Sequence, residues 1–202
     1  MNASRWRTTP GNFARLIAGL WLFGTGEAFI VASALGNSPW TVLAEGVSLN
    51  TTLSVGTATI AVSGAVLLGW IPLRQAPGLG TVMNAIVIGL AIDVTLAVLG
   101  HPGLAVRMVW LLGGIALVAV GSGFYLGAAL GPGPRDGLMT GLHRVTGAPI
   151  GVTRTAIEIT ALSAGWALGG TVGIGTLVFA LTIGPAVGIA VRRMSPVPAH
   201  EM

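Results

Sequence analysis

Six long apolar stretches alternate with shorter, more polar segments along the chain. They run over residues 13–35, 52–71, 79–100, 104–130, 150–170 and 173–191. Each is about 20 residues long, which is the length that a helix needs to cross a bilayer and is too long for a strand. A helix also satisfies its own backbone hydrogen bonds in lipid. The pattern therefore predicts an all-α, polytopic membrane protein with six transmembrane helices.

The second half of the chain repeats the first half at a fixed offset. The motif Leu-Gly-x-x-Pro at residues 35–39 returns at 130–134, so the offset is 130 − 35 = 95 residues. Likewise, Gly-x-Gly-Thr at 78–81 returns at 173–176. Two matching halves in one chain indicate a duplicated unit.

Each repeat contains three of the apolar stretches, over residues 13–100 in the first repeat and 104–191 in the second. Because three is odd, the second repeat starts on the opposite side of the membrane. We therefore predict two inverted three-helix repeats, related by a two-fold axis in the membrane plane, as in many secondary transporters.

Composition supports a membrane protein and excludes several other classes. The chain is 53% hydrophobic and 8% charged, whereas a soluble domain carries roughly 25% charged residues. Cysteine is absent, which excludes disulfides and thiolate metal sites. His101, His143 and His200 are too far apart in sequence to predict a metal cluster, so we expect no cofactor.

The arginine residues predict the orientation of the chain. The net charge is +4, and all arginines except Arg107 fall on or near the inner side if the N-terminus is cytoplasmic. The positive-inside rule then predicts cytoplasmic segments at 1–12 and 192–202. We favour this role over nucleic-acid binding.

An alternative for the first apolar stretch is a cleaved secretory signal. Its basic start and the sequence Ala32-Ser33-Ala34 are typical of such a signal. However, the fourth stretch is its counterpart in the repeat, and cleavage would leave the duplication unbalanced. We therefore expect the first stretch to remain as a helix.

A less apolar connector follows the first span of each repeat, at residues 36–50 and 131–148. Each connector opens with Gly and Pro, which end the preceding helix. Each then continues with a short apolar pattern that predicts a re-entrant or interfacial helix. Inversion places the two connectors on opposite faces, where an alternating-access protein would build its site.

The second connector carries Arg135 and Asp136 at the predicted start of its helix. A helix N-terminus favours an anion, and Arg135 would add a bidentate donor. The alternative is structural: Asp136 caps the helix and Arg135 fixes orientation. The first connector has Trp40 and Thr41 at these positions, so a charged function is confined to one repeat.

Arg154 and Glu158 lie four residues apart within the fifth apolar stretch and share a helix face. They form either a structural ion pair or a site in which Arg154 binds a substrate anion.

Glu27 and Asp93 are two further acids within apolar stretches, where charge is costly and indicates function. We predict that Glu27 binds a proton or cation where Gly24-Thr25-Gly26 loosens its helix. Asp93 is a second candidate for ion coupling, unless it reaches interfacial water.

No catalytic motif accompanies these charges. The sequence lacks a nucleophile elbow, an HExxH zinc motif and a phosphate-binding loop with lysine. We therefore expect the protein not to be an enzyme.

Several segments resemble the bacterial YczE/YyaS/YitT group of integral membrane proteins. They lie at residues 35–40, 131–142, 154–158, 165–170 and 173–176. The family often has Asp after Trp40, whereas Thr41 stands here. The resemblance implies a multi-span bacterial plasma-membrane protein with transport as a suspected activity, and it implies no particular substrate.

The sequence thus predicts a transporter or exporter that moves a small solute by alternating access, with an anion as one candidate. The predicted substrate-binding residues are Arg135, Asp136, Arg154 and Glu158, and the predicted coupling residues are Glu27 and Asp93. The expected partners are the lipid bilayer and the solute, without nucleic acid, and a homodimer is left open. The alternative is a non-transporting accessory protein that assists a biosynthetic or envelope enzyme. A polar cavity that reaches Glu27, Arg154 and Glu158 would favour transport, and a dry interior would favour the accessory role.

Overall fold

A computed structural model describes residues 5–100 and 102–194, and these residues form eight α-helices without a strand. The helices are α1 (Pro10–Ser33), α2 (Pro39–Leu49), α3 (Val55–Gly69), α4 (Leu79–Leu96), α5 (Leu104–Gly127), α6 (Pro134–Thr146), α7 (Ile150–Ala167) and α8 (Ile174–Met194). The predicted all-α fold is confirmed for these residues. His101, His200 and the outer parts of both predicted cytoplasmic segments lie outside them.

Four helices, α1, α4, α5 and α8, are long and apolar enough to cross a membrane. The two remaining predicted spans correspond to α3 and α7. At 15 residues α3 is about 22 Å long, which is less than the roughly 30 Å of a hydrocarbon core. In α7 the charges of Arg154 and Glu158 lower the hydropathy. The predicted connector helices are present as α2 and α6.

The repeat seen in the sequence is also present in the helices. The three helices that begin at Pro134, Ile150 and Ile174 start 95 residues after those that begin at Pro39, Val55 and Leu79. The turns before α2 and α6 match as well. Both turns use left-handed backbone at equivalent positions, with φ values of 49° and 54° at Ala34 and Ala129, and of 116° and 114° at Gly36 and Gly131.

Two equivalent hydrogen bonds join the halves of the chain, one in each direction. The N–H of Gly80 donates to the Leu130 carbonyl (2.9 Å), and the N–H of Gly175 donates to the Leu35 carbonyl (2.7 Å). Gly175 and Leu130 are the counterparts of Gly80 and Leu35 at the offset of 95 residues. Each repeat therefore anchors the start of its last helix on the turn of the other repeat.

The centre of the bundle is the antiparallel pair α1 and α5. A Cβ atom added at Gly26 would lie 2.6 Å from the Gly114 carbonyl oxygen, and Gly19 meets Gly121 in the same way. This close approach buries a core that includes Leu16, Leu20, Ile30 and Val118. α4 packs against α1, and α8 packs against α5.

The predicted loosening of the helix at Gly24-Thr25-Gly26 is wrong. α1 is continuous from Pro10 to Ser33. A Cβ atom at Gly24 would lie 2.5 Å from the Ile88 carbonyl oxygen, and one at Gly26 would meet Gly114. These glycines therefore allow close helix packing rather than a break in the helix.

Candidate functional site

The first turns of α2 and α6 lie inside the bundle. Both helices start with proline, whose fixed φ and missing N–H suit the first helical position. The next two residues are Trp40 and Thr41 in α2, and Arg135 and Asp136 in α6. These equivalent pairs line a common cavity.

This space, the first cavity, lies between α1, α3, α4 and the two short helices. Its empty volume is about 670 Å³, including the part open to the outside. Charged, polar and aromatic groups are interleaved along its wall. They are Phe23, Glu27, Trp40, Thr41, Thr59, Ser63, Asn84, Tyr125, Arg135 and Asp136.

Glu27 is the most deeply buried charged group of the first cavity, with 2% of its surface exposed. The Thr41 hydroxyl donates to its Oε2 atom at 2.7 Å, and the Ser38 hydroxyl lies 3.0 Å from the same oxygen. The hydrogen-bond partners of this carboxyl group are therefore neutral hydroxyls of α2 and its N-cap. Glu27 and Arg135 line the same cavity, and their opposite charges attract each other across it.

Arg135 presents its guanidinium to the cavity. The guanidinium carbon lies 5.8 Å from the centre of the Phe23 ring, in the range of a cation–π contact. Its Nε atom is 3.8 Å from Asp136 Oδ1, and a third of the side chain is exposed. The guanidinium of Arg135 makes no hydrogen bond to any described residue, so its N–H donors remain available to a ligand.

Asp136 is held by Tyr125 rather than by its own helix. The Tyr125 hydroxyl donates to Asp136 Oδ2 at 2.8 Å and accepts from the N–H of Gly133 at 3.1 Å. Gly133 is the N-cap residue of α6, without a side-chain cap. The alternative role of Asp136 as a helix cap is therefore wrong, because its carboxylate lies within the first turn and turns toward α5.

The second cavity lies between α5, α6, α7 and α8. The four predicted substrate-binding residues line it together, since Arg154 and Glu158 face the same space as Arg135 and Asp136. Arg154 Nε donates to Glu158 Oε1 at 3.2 Å, and half of the Arg154 side chain is exposed. Trp40, Tyr125, Arg135 and Asp136 line both cavities.

Asp93 lies in neither cavity. Its Oδ1 atom accepts from the N–H of Gly56 at 2.8 Å, and its Oδ2 atom accepts from the Ser54 hydroxyl at 2.5 Å. These bonds hold the N-terminus of α3 against α4. Within the described residues, no group of three His, Cys, Asp or Glu side chains is placed to hold a metal ion.

Comparisons with known proteins place the chain in a family. A sequence model described as "Family of unknown function (DUF6198)" matches residues 11–192. The chain belongs to this family. No solved structure matches the chain.

Three bacterial relatives extend the comparison. An uncharacterised protein of Haemophilus influenzae is 39% identical over 196 residues, which cover 96% of this chain and 90% of the relative. The uncharacterised membrane protein YczE of Bacillus subtilis is 34% identical over 174 residues, which cover 83% of this chain and 79% of the relative. The uncharacterised protein YyaS of the same organism is 27% identical over 164 residues, which cover 79% of this chain and 82% of the relative. The predicted resemblance to YczE and YyaS is confirmed.

Sequence reasoning missed the neutral members of the site. Trp40 and Thr41 are recognisable in the sequence as the counterparts of Arg135 and Asp136, but as neutral residues they give no signal of a site. Tyr125 is the single tyrosine of the chain, and it stands in an apolar stretch without a motif. Glu45 was also missed. It accepts from the Thr171 hydroxyl at 3.0 Å and links α2 to the start of α8.

Proposed function

We propose that the protein is a small transporter, located in a bacterial plasma membrane, that moves a solute by alternating access. The observation that carries this proposal is the pair of cavities, each with charged groups in a largely apolar wall, that share Trp40, Tyr125, Arg135 and Asp136. One cavity reaches Glu27 and the other reaches Arg154 and Glu158. An accessory protein with purely structural charges would have a dry interior instead.

The proposed architecture is an inverted repeat of six spans, with α2 and α6 as re-entrant helices and both termini in the cytoplasm. The antiparallel packing of α1 and α5 supports it. Gly26 contacts Gly114 and Gly19 contacts Gly121, and each of these α5 glycines lies 95 residues after the other α1 glycine. Short helices that enter from opposite faces and meet at one site are typical of secondary transporters. Arginine clustering supports the orientation.

In the proposed mechanism, Glu27 and the solute compete for Arg135. With Glu27 ionised, its charge attracts the Arg135 guanidinium across the first cavity. Protonation of Glu27 removes that attraction and leaves the arginine to bind an anionic group, which suits its planar set of donors. Tyr125 and Asp136 hold the start of α6 in place. No catalytic step is part of this proposal.

Cysteine accessibility tests the proposal, because the natural chain contains no cysteine. Ser63→Cys places a thiol on the wall of the first cavity. Ala58→Cys, at a fully buried position of the same helix, is the matched control. Arg192→Cys at the exposed end of α8 reports the sidedness of the vesicles.

Alternating access predicts that a membrane-impermeant thiol reagent labels Ser63→Cys in both right-side-out and inverted vesicles. Ala58→Cys should stay unlabelled, and Arg192→Cys should react from the cytoplasmic side alone. Labelling of Ser63→Cys from one side under every condition, or from neither side, contradicts the proposal and favours the accessory role.

A further inference from the structure

The two repeats differ in one contact between equivalent helices. Gly56 of α3 packs directly on the backbone of Gly89 in α4. Their counterparts at the offset of 95 residues are Gly151 of α7 and Gly184 of α8. A Cβ atom at either of these two positions would meet nothing within 4 Å. α7 and α8 are therefore separated where α3 and α4 are closed.

The gap between α7 and α8 opens onto the second cavity. Gly184 lines this cavity together with the apolar side chains of Ile157, Ile183 and Val187. Large apolar side chains are exposed on the outer faces of both helices, including Val152, Ile159, Leu177 and Leu181. Faces of this kind are turned to lipid in a membrane protein. The gap therefore faces the hydrocarbon of the bilayer rather than water.

The charged end of the second cavity has hydrogen-bond donors to spare. In the described part of the chain, Arg135 makes no hydrogen bond and Arg154 donates only to Glu158. Asp136 is already bound by Tyr125. Two guanidinium groups thus face the cavity with most of their N–H groups unused, and such groups match the oxygens of a carboxylate or phosphate.

We propose that the transported solute is an amphiphile with an acidic head group, which enters from the bilayer between α7 and α8. The head binds Arg135 and Arg154, and the apolar tail lies along Ile157, Ile183 and Val187. An apolar gap that leads to free arginine donors fits a molecule with both properties. This inference rests on the proposed function and specifies its substrate class.

Native mass spectrometry of the purified protein tests this inference with three probes. Lysophosphatidic acid has an acidic head and one tail, lysophosphatidylcholine has the tail with a neutral zwitterionic head, and glycerol 3-phosphate has the acidic head alone. We expect lysophosphatidic acid to bind about tenfold more than either of the others at equal concentration, because lysophosphatidylcholine lacks the net negative charge of the head and glycerol 3-phosphate lacks the apolar tail.

Two variants locate the binding. Gly184→Leu adds a side chain at the open gap, where a Cβ atom meets nothing within 4 Å, whereas Gly188→Leu adds the same side chain one turn further along, at another open position that does not line the cavity. Arg154→Gln removes a donor inside the cavity, and Arg192→Gln removes a charge at an exposed position outside it. We expect Gly184→Leu and Arg154→Gln each to reduce lysophosphatidic acid binding about tenfold, and the two controls to match the wild type.

Three results would overturn the inference. Equal binding of both lysolipids would mean a non-specific lipid shell, and equal effects of Gly184→Leu and Gly188→Leu would mean entry elsewhere. Binding of glycerol 3-phosphate as tight as that of lysophosphatidic acid, or binding of none of the probes, would exclude an amphiphile. Labelling of Ser63→Cys from both sides would still support transport in each of these cases, so the two proposals fail separately.

Discussion

Glu27 differs from the other charged residues of the two cavities in its burial. It is 2% exposed, whereas the side chains of Arg135, Asp136, Arg154 and Glu158 are each at least a third exposed. A buried carboxyl group is costly when ionised, and two hydroxyl groups offset only part of that cost. Its protonation state therefore determines whether Arg135 has a second charged partner besides Asp136.

Glu27→Gln tests this coupling. The amide keeps the shape and one acceptor, so we expect the free energy of unfolding to fall by about 1 kcal/mol, the size of one hydrogen bond. In the wild type, lysophosphatidic acid should bind more tightly as the pH falls, because protonation of Glu27 releases Arg135. The variant imitates the protonated state and should bind tightly at every pH, about tenfold better than the wild type at alkaline pH.

The matched control for Glu27 is Asp93→Asn, which removes a carboxyl group that lies outside both cavities. The binding of lysophosphatidic acid to this variant should depend on pH in the same way as its binding to the wild type. A Glu27→Gln protein with the pH dependence of the wild type would show that another group couples the proton.

At the scale of the elements, the helix pairs α3–α4 and α7–α8 have equivalent sequences and different packing. Gly56→Ala would place a methyl group against the Gly89 carbonyl, and overpacking of this kind costs about 1–3 kcal/mol. Gly151→Ala would place the methyl group in open space, where a better helix former contributes up to about 1 kcal/mol. Thermal unfolding in detergent should therefore show a lower melting temperature for Gly56→Ala alone. Equal shifts in both variants would contradict the difference between the pairs.

The order of the helices could be predicted from the sequence, because the repeat and the length of the apolar runs are both local signals. The motif with Gly and Pro predicted α2 and α6 for the same reason. The start of α3 could not be predicted, since the contacts that fix it come from elsewhere. Asp93 binds the N-terminus of this helix across 37 residues.

The site was predictable in its charges and not in its geometry. Arg154 and Glu158 share a helix face at a spacing that any helix imposes, and the structure pairs them. The contact between Glu27 and Thr41 joins two helices through a turn whose path the sequence does not reveal. The role of Gly24 and Gly26 depends on α4 and α5, so a local pattern could not distinguish close packing from a break in the helix.

For the whole molecule, the difference between the repeats indicates how the proposed transport cycle proceeds. If the repeats exchange conformations, α7 closes on α8 through Gly151 and Gly184 while α3 leaves α4. Such an exchange needs two states of similar free energy, and a solute shifts their populations only by binding one state more tightly. The second cavity would close as the first opens to the other side.

The most direct test of alternating access is a pair of distance measurements by double electron–electron resonance in lipid nanodiscs. Spin labels on Thr57→Cys and Val94→Cys report the α3–α4 pair, and labels on Val152→Cys and Ile189→Cys report the equivalent α7–α8 pair at positions 95 residues later. All four positions are exposed, so the labels leave the core intact.

We predict two distances for each pair, with populations that shift in opposite directions between acidic and alkaline pH or when lysophosphatidic acid is added. The α7–α8 distance should shorten as the α3–α4 distance lengthens. A single, unchanged distance in both pairs under all conditions would contradict alternating access and leave the protein as a static membrane component.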